Sequence, residues 1–306
     1  METRRIGSLE VSAVGLGCNN FGSRLDATKT ADVVQAALDA GITFFDTADI
    51  YGGTKSEEFL GRALGARRAQ AVLATKFGMR VDDARQGARP EYVRRAVEDS
   101  LGRLRTDRID LYQLHRPDPS VPIGDTLEAL SGLVQAGKVR EIGCSNFSGE
   151  QLLEARAAAG AGARFVSVQN EYSLLHRAPE RDVLPECDRE GLAFLPYFPL
   201  ASGLLTGKVR RGEPPPGSRL AGMGGSGLLA PRNLKVVAEL AEFAQARRHT
   251  LLELAVSWLL ARAAVASVIA GATSAEQVRV NAGAGGWRLA ASELEAVNRL
   301  TESVAF

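Results

Sequence analysis

The sequence has 306 residues, and its 37 Lys and Arg against 36 Asp and Glu give a formal net charge of +1. A chain so close to neutrality lacks the basic excess with which proteins bind nucleic acid or anionic membranes. Its 45% hydrophobic residues are ordinary for a globular protein, and no run reaches the ~18 unbroken apolar residues of a membrane span.

The cysteines and the first residues bear on where the protein works. Cys18, Cys144 and Cys187 are few and odd in number, which argues against a disulfide framework and fits a reducing cytosol. Residues 1–10 are charged and lack the apolar core of a signal peptide. We therefore expect a cytoplasmic protein. The histidines are scattered and no Cys-x-x-Cys pair occurs, so no metal site is expected.

Short apolar runs alternate with helical patterns along the chain. Their near-continuous hydrophobicity is typical of parallel strands buried on both faces. The eight predicted strands are residues 13–16, 42–45, 71–74, 109–114, 139–143, 165–168, 192–195 and 267–270. Alternating strand–helix units of this number predict an α/β fold, either a closed parallel barrel or a doubly wound sheet.

End signals place helices between these strands. Residues 31–40 have apolar side chains at helical spacing, and Gly41 can end that helix. Pro90 marks the start of a helix that runs toward Leu101. Capping-box patterns predict three more helix starts, at Thr54 with Glu57, Ser148 with Gln151 and Ser274 with Gln277. The arginines that follow Leu101 alternate with acidic residues and are interpreted as a solvated helix end: Arg103, Arg105 and Arg108.

Two regions fall outside the repeat. Residues 1–12 alternate weakly around Gly7 and Ser8, which predicts a small hairpin. Residues 208–231 are rich in Gly, Pro and Arg and lack periodicity, which is typical of a functional lid or a disordered loop. Further helices are predicted at 233–246, 251–261 and 292–301. We interpret residues 1–306 as one domain.

Within the long loop, residues 222–227 match the pattern G-x-G-x-x-G. In dinucleotide-binding folds this pattern follows an apolar strand and opens a helix, which places a pyrophosphate at the helix N-terminus. Here it follows prolines, and no helix begins directly after it. We therefore reject it as a cofactor fingerprint.

Ionisable residues follow three consecutive predicted strands. Asp46 ends one, with Tyr51 in the loop beyond it, Lys76 ends the next, and His115 ends the third. The carboxyl ends of parallel barrel strands share one rim, where active sites form. Each residue alone has an ordinary structural explanation, such as a lysine that pairs at a strand end. Their order on successive strands favours a shared site.

These residue types suit the addition of hydride to a carbonyl group. A free tyrosine has a pKa near 10, so it is a slow acid at neutral pH. A lysine ammonium beside Tyr51 would stabilise the phenolate and lower that pKa, and a carboxylate would hold the lysine charged. A histidine could donate a hydrogen bond to the carbonyl oxygen. The sequence therefore predicts a proton-donating oxyanion site.

With these residues identified, the sequence resembles the aldo-keto reductase family along essentially its whole length. The segments that carry the resemblance include residues 15–22, 45–52, 56–61, 75–78, 114–118, 143–147, 168–172, 199–205 and 271–277. The resemblance implies a (β/α)8 TIM barrel with an N-terminal β-hairpin across its bottom and extra C-terminal helices. It implies a catalytic tetrad of Asp46, Tyr51, Lys76 and His115, and NADP(H) as cofactor without a Rossmann motif.

The same resemblance implies a set of cofactor contacts. Ser145, Asn146 and Gln169 would hold the nicotinamide carboxamide, and Tyr197 would stack on the ring. The pyrophosphate would run along residues Phe198, Pro199, Leu200, Ser202 and Leu204. The remaining contacts would come from Cys18, Asn19, Asp46, Lys208, Arg219, Gly271, Thr273, Gln277 and Asn281. The family often has Glu where this chain has Val280, so the resemblance implies a weaker contact with the adenine.

The expected activity is NADPH-dependent reduction of an aldehyde or ketone with Tyr51 as general acid. The alternative is a cofactor-binding redox sensor or regulatory subunit with little turnover. A metal-dependent barrel hydrolase is disfavoured because the other strand ends lack extra acidic or histidine residues. Asn19, Phe21, Phe77 and the residues after Arg80 are expected to line the substrate pocket, which suggests an apolar or aromatic carbonyl compound. The sequence does not specify the substrate, the direction or the oligomeric state.

Overall fold

The computed structural model describes residues 1–209, 212–222 and 227–304. Eight parallel strands form one sheet in the order β10-β3-β4-β5-β6-β7-β8-β9. They are β3 (Val14–Gly17), β4 (Phe44–Asp46), β5 (Val72–Phe77), β6 (Ile109–Leu114), β7 (Val139–Ser145), β8 (Phe165–Glu171), β9 (Ala193–Tyr197) and β10 (Val268–Gly271). The eight predicted strands are confirmed, with small shifts at their ends.

The sheet closes on itself. β10 pairs with β3, with Val268 opposite Val14. On the other side, Phe194 of β9 bridges to Val265, and the Phe194 N–H donates to the Ala264 carbonyl at 2.7 Å. The closed, all-parallel arrangement is a (β/α)8 barrel, which decides between the two α/β folds that the alternation allowed and confirms the fold implied by the resemblance.

Helices cover the outside of the barrel. They are α1 (Ala27–Asp39), α2 (Lys55–Leu64), α3 (Pro90–Leu104), α4 (Ile123–Gln135), α5 (Gly149–Ala159), α6 (Val183–Glu190), α7 (Arg219–Gly222), α8 (Pro231–Gln245), α9 (Leu251–Leu260), α10 (Ala275–Gly283) and α11 (Ala291–Thr301). A helix follows each of β3 to β8 directly, whereas α7, α8 and α9 all lie between β9 and β10. None of the described helices is long and apolar enough to cross a membrane.

The predicted N-terminal hairpin is present as β1 (Thr3–Ile6) and β2 (Leu9–Ser12), which pair antiparallel. Its apolar side chains Ile6 and Leu9 are almost fully buried and cluster with Phe44 and Leu111 of the barrel strands. The hairpin therefore closes the N-terminal end of the barrel. The opposite rim, where the carboxyl ends of the strands meet, is left for the functional site.

All three predicted helix starts are confirmed, but the complete predicted capping box forms at only one of these three. The Ser148 side chain accepts from the Gln151 N–H, and Oε1 of Gln151 accepts from the Ser148 N–H. These two bonds complete the predicted capping box. Ser274 caps α10 as predicted, but the Gln277 side chain accepts from the N–H of Thr273 instead. The Gln277 side chain therefore accepts from the N–H one residue before the N-cap, where a capping box would use the N–H of Ser274 itself.

At the third start, the predicted helix and its N-cap Thr54 are confirmed, but the side-chain bonds of a capping box are absent. Thr54 has φ 76° and its side chain makes no cap bond. Glu57 is fully buried and accepts from the Thr75 hydroxyl and, at 2.7 Å, from Nε of Arg103. Because the Glu57 carboxylate is bound to Thr75 and Arg103, it does not reach back to the first residues of the helix. For the same reason Arg103 is ion-paired inside the structure and does not belong to a solvated helix end.

The long loop is partly described. It contains the short helix α7, and residues 212–222 run along the barrel mouth. Four residues of the rejected glycine pattern, 223–226, lie outside the described residues.

Candidate active site

The predicted tetrad comes together at the carboxyl rim. Lys76 lies on β5, opposite Gln113 of β6, and its Nζ donates to Oδ2 of Asp46 at 2.6 Å and to the Thr47 carbonyl at 2.8 Å. The Lys76 Nζ is 5.2 Å from the centre of the Tyr51 ring. The Tyr51 and His115 rings meet edge to face with centres 5.8 Å apart. One carboxylate, one ammonium, one phenol and one imidazole therefore surround a common point.

Asp46 is the hub of this arrangement. Its Oδ2 accepts from Lys76, while its Oδ1 accepts from Nε2 of Gln113 at 3.2 Å and from Nε2 of Gln169 at 2.9 Å. All three partners are buried, as is Asp46. Buried charges persist only when they are paired and hydrogen-bonded. The two amides fix the carboxylate so that it faces the lysine.

The electrostatics of Lys76 and Tyr51 differ in part from expectation. Burial alone would lower the pKa of Lys76, but the charges and hydrogen bonds of Asp46 and Tyr51 together outweigh it and raise the pKa, so the ammonium is kept. Burial raises the pKa of Tyr51 above its ordinary value, and the charge of Lys76 offsets this only in part because Asp46 opposes it. The expected lowering of the Tyr51 pKa is wrong for this state of the site. Tyr51 is a protonated phenol at neutral pH.

His115 is neutral. Burial, followed by the charges of Lys76 and Arg116, lowers the pKa of His115 to about 3. Its backbone is fixed, since its N–H donates to the Phe77 carbonyl at 2.8 Å and its carbonyl accepts from Nδ2 of Asn146 at 2.9 Å. A neutral imidazole still donates one N–H. It can thus polarise a carbonyl oxygen without adding a charge.

A second carboxylate of the same loop, Asp49, has an unusual environment. It is buried, its N–H donates to the Lys76 carbonyl at 3.0 Å, and the Tyr92 hydroxyl donates weakly to it at 3.4 Å. Burial, followed by the nearby charge of Glu57, raises the pKa of Asp49 to about 7. The folded protein therefore holds a proton here that the unfolded chain releases at lower pH.

This carboxylate gives a prediction for stability. Because the folded pKa of Asp49 is raised, the free energy of unfolding should fall as pH rises from about 4 to 7. Asp49→Asn removes this dependence. The free energy of unfolding of the variant minus that of the wild type should therefore be roughly 2 to 3 kcal/mol more favourable at pH 8 than at pH 5. Denaturant unfolding of both proteins at the two pH values measures the difference. A difference that does not change with pH would contradict the assignment.

The tetrad opens into a cavity of about 900 Å³ at the barrel mouth, called here the main cavity. Asp46, Tyr51 and His115 line it, while Lys76 is buried behind them. Most residues of the predicted cofactor set line it too: Cys18, Asn19, Ser145, Asn146, Gln169, Tyr197, Phe198, Pro199, Leu200, Ser202, Lys208, Arg219, Gly271, Thr273, Gln277 and Asn281. Their contacts with a cofactor remain a prediction.

Leu204 is the exception in that set. Its side chain is fully buried among the core residues and does not line the main cavity. Ser202 and Gly203 just before it have positive φ values of 57° and 105°, and the turn that they form directs Leu204 inward. The predicted contact of Leu204 with a cofactor stays a prediction.

Three residues of the predicted nicotinamide site, Ser145, Asn146 and Tyr197, already bind one another. The Tyr197 hydroxyl donates to Oδ1 of Asn146 at 2.8 Å, and Nδ2 of Asn146 donates to the His115 carbonyl and, at 3.1 Å, to Oγ of Ser145. Asn146 has φ 62°, in the left-handed region, which asparagine tolerates better than most residues. Both ends of the Asn146 amide are engaged, so direct contact with a ligand would require an exchange of one of these bonds.

Cations without acidic partners line the part of the main cavity beyond Tyr197. Nη2 of Arg219 donates to Oδ1 of Asn19 at 3.0 Å and of Asn20 at 2.9 Å, and its guanidinium lies 5.5 Å from the Phe198 ring centre. Arg24 donates to the Gly217 carbonyl. Within the described ranges, neither these arginines nor Lys208 form an ion pair. A wall of this kind fits an anionic ligand such as a diphosphate.

The predicted substrate pocket is only partly correct. Asn19 lines the main cavity, but Phe21 and Phe77 are fully buried and line neither it nor its rim. Phe77 instead stacks on Tyr112 with ring centres 4.7 Å apart. The residues that follow Arg80 do not line the main cavity either. The basis for expecting an apolar or aromatic substrate is therefore lost.

Several residues of the site were not predicted from the sequence. Gln113 precedes His115 by two positions on a strand, so both side chains point to the same face, and this spacing could have identified it. Asn20 and Arg24 lie in the loop after β3, and only the fold shows that Arg219 reaches across to that loop. Arg116 adjoins His115 and lines the main cavity.

Comparisons with known proteins cover nearly the whole chain. A sequence model of the Aldo/keto reductase family matches residues 13–302. The chain is 36% identical over 310 residues to aldo-keto reductase YhdN of Bacillus subtilis (strain 168), which covers 96% of this chain and 91% of that protein.

Two solved structures are similar throughout. The holo form of aldo-keto reductase AKR11C1 from Bacillus halodurans has a TM-score of 0.84 and 33% identity, and the match covers 100% of this chain and 98% of that one. Glycerol dehydrogenase AKR11B4 from Gluconobacter oxydans has a TM-score of 0.86 and 33% identity, with 99% and 95% covered. These matches include every strand that carries the tetrad.

Proposed function

Because the chain belongs to the aldo-keto reductase family, a family of oxidoreductases that act on carbonyl compounds, we propose that it catalyses NADPH-dependent reduction of aldehydes or ketones to alcohols. The observation that carries the proposal is the buried Lys76–Asp46 ion pair, 2.6 Å long, behind a protonated Tyr51 and beside a neutral His115. That combination offers a proton to an oxygen that gains negative charge, which is the chemical need of carbonyl reduction.

The roles of the chain's own residues follow from their positions. Tyr51 donates its phenolic proton to the developing alkoxide. Lys76 stabilises the phenolate that Tyr51 then becomes, and Asp46 keeps Lys76 charged and in place. His115 donates its N–H to the carbonyl oxygen of the substrate and so orients the carbonyl group. The imidazole stays neutral across the physiological pH range, so this role does not depend on its titration.

The cofactor proposal rests on the shape and charge of the main cavity. A nicotinamide cofactor, when bound, supplies the hydride. Ser145, Gln169 and Tyr197 would hold its nicotinamide end; Nε2 of Gln169 is bound to Asp46, which leaves its amide oxygen for a carboxamide N–H. The unpaired cations Arg24, Lys208 and Arg219 would meet its phosphates. The name of the AKR11C1 structure, which describes a holo form, is consistent with this proposal.

The test of the proposal is a turnover screen. A panel of aldehydes and ketones is assayed with NADPH and, separately, with NADH, following the loss of reduced nucleotide. We expect turnover of at least one carbonyl class and a higher kcat/KM with NADPH. Tight NADPH binding without turnover of any compound would contradict reduction and favour a redox sensor or regulatory subunit. The same protein is also assayed with alcohols, because AKR11B4 is named a glycerol dehydrogenase.

The charge states of the site predict the pH dependence of reduction. Tyr51 must be protonated to act, and its pKa lies above its ordinary value, while His115 with a pKa of about 3 is already neutral. We therefore expect kcat for reduction to stay flat between about pH 5 and pH 9, without the inflection near 6.5 of an ordinary histidine. The profile is repeated in Asp49→Asn, because Asp49 itself titrates near 7. An inflection near 6.5 that persists in this variant would contradict a neutral His115.

A further inference from the structure

Arg116 occupies a position that the proposed mechanism does not use. It directly follows His115 at the end of β6, and its side chain lines the main cavity. It also lines a second cavity of about 880 Å³, the side cavity, which lies between the β6–α4 loop and α5. Arg116 and Asn146 border both spaces. Arg116 therefore lies at the boundary between the two cavities, next to His115 in the chain.

The charge of Arg116 is not neutralised by the protein. The side chain is exposed, and in the described ranges no carboxylate lies within 4.0 Å of it and no hydrogen bond is made. The nearby Asp118 is already occupied, since its oxygens accept from the N–H groups of Ala88 and Ser120. Glu171 is another nearby carboxylate, since its charge raises the pKa of Tyr197 and the charge of Arg116 lowers it. Glu171 does not line the main cavity.

The position of Arg116 is rigid at its base and close to the reacting point. The backbone of His115 is fixed on both sides by the bonds to Phe77 and Asn146, and Pro117 restricts the chain after Arg116. The charge of Arg116 contributes to the lowered pKa of His115, which places the guanidinium within electrostatic range of the imidazole. An anion bound by Arg116 would thus lie a short distance from the carbonyl that His115 and Tyr51 face.

The acidic residues that line the main cavity do not compete for this role. Asp46 is paired with Lys76, and Glu276 lies in the first turn of α10, after β10, which stands four strands away from β6 in the barrel. The cations of the wall that includes Arg219 are suited to the cofactor phosphates. Arg116 lies beside the tetrad and is left for the substrate.

We propose that Arg116 selects carbonyl substrates that carry a carboxylate, which its guanidinium binds while the carbonyl group lies between Tyr51 and His115. The inference rests on the proposed function and specifies its substrate class. Arg and carboxylate groups form paired, charge-assisted hydrogen bonds that fix orientation as well as adding affinity. Orientation of this kind presents the carbonyl to the tetrad in one pose.

The test compares two substrates that differ in charge. 4-Carboxybenzaldehyde and its neutral counterpart methyl 4-formylbenzoate are assayed with the wild type, Arg116→Leu and Arg116→Lys. We expect the wild type to prefer the acid. In Arg116→Leu the ratio of kcat/KM for the acid over the ester should fall roughly 10- to 100-fold, mainly through KM of the acid. Arg116→Lys should retain part of the preference, because it keeps the charge and loses the paired geometry.

The matched control is Arg94→Leu. Arg94 is exposed on α3 and lines neither cavity, so its loss should leave the wild-type ratio unchanged. If the ratio of kcat/KM for the acid over the ester is the same in the wild type and in Arg116→Leu, the inference about Arg116 is overturned. Turnover of the ester in that case would still support the proposed function. Absence of turnover of both compounds by the wild type would count against the proposed function itself.

Discussion

Replacement of Tyr51 by phenylalanine should lower kcat for carbonyl reduction by about 10²-fold or more. The change removes only the hydroxyl that would protonate the alkoxide, and the ring keeps its edge contact with His115. The cavity walls are unchanged, so the dissociation constant for NADPH should remain near that of the wild type. Steady-state kinetics and fluorescence titration with NADPH measure the two quantities separately.

The control for Tyr51→Phe is the same substitution at Tyr112. Tyr112 is fully buried under the rim, its hydroxyl has no partner among the described residues, and it does not line the main cavity. Removal of an unpaired buried hydroxyl costs little or even stabilises. We expect Tyr112→Phe to turn over as the wild type does. Equal kcat for Tyr51→Phe and the wild type would refute Tyr51 as the proton donor.

The second large effect is expected at Lys76. Lys76→Met should lower kcat about 10²-fold or more, because the phenolate of Tyr51 loses its stabilising charge. It should also destabilise the protein by about 3 to 5 kcal/mol, because Asp46 is left as a buried charge without its ion-pair partner. Kinetics and denaturant unfolding measure the two losses.

The variant that separates these losses is Asp46→Asn combined with Lys76→Met. The double variant has lost both charges of this buried pair, so most of the lost stability should return. Its activity should stay low, because the ammonium is still absent. Recovery of activity together with stability would mean that Lys76 acts only through the fold, and that its proposed role toward Tyr51 is wrong.

The positions of the tetrad were predictable because each residue ends, or closely follows, a strand whose apolar run is evident. Asp46, Lys76 and His115 needed only the rule that parallel strand ends share one rim. The number of strands came from the same runs. Closure into a barrel followed from the resemblance, since alternation alone also allows an open sheet.

Other features depend on contacts that no local pattern encodes. Thr54 and Glu57 have the spacing of a capping box, but Thr75 and Arg103, distant in sequence, compete for the carboxylate. The raised pKa of Tyr51 depends on burial and on how far Asp46 cancels the charge of Lys76. Propensity and spacing describe neighbours along the chain, whereas these balances are set by neighbours in space.

The substrate pocket shows the same limit. Phe21 and Phe77 are aromatic residues close in sequence to residues of the tetrad. The sequence does not show whether each side chain faces the main cavity or the core of the protein. Arg116 stands next to His115 in the sequence, but the lack of a carboxylate beside it among the described residues is seen only in the folded structure. The expectation of an apolar substrate is replaced by that of an anionic one for this reason.

The most direct measurement is a crystal structure of the protein with NADP⁺ bound. We expect the nicotinamide to lie in the main cavity against Tyr197, with its carboxamide at Ser145 and Gln169. Its reactive carbon should face the space beside the Tyr51 hydroxyl, at a distance that leaves a carbonyl about 3 to 3.5 Å from both. A dinucleotide bound elsewhere, or a nicotinamide ring on the far side of the cavity from Tyr51, would contradict this prediction.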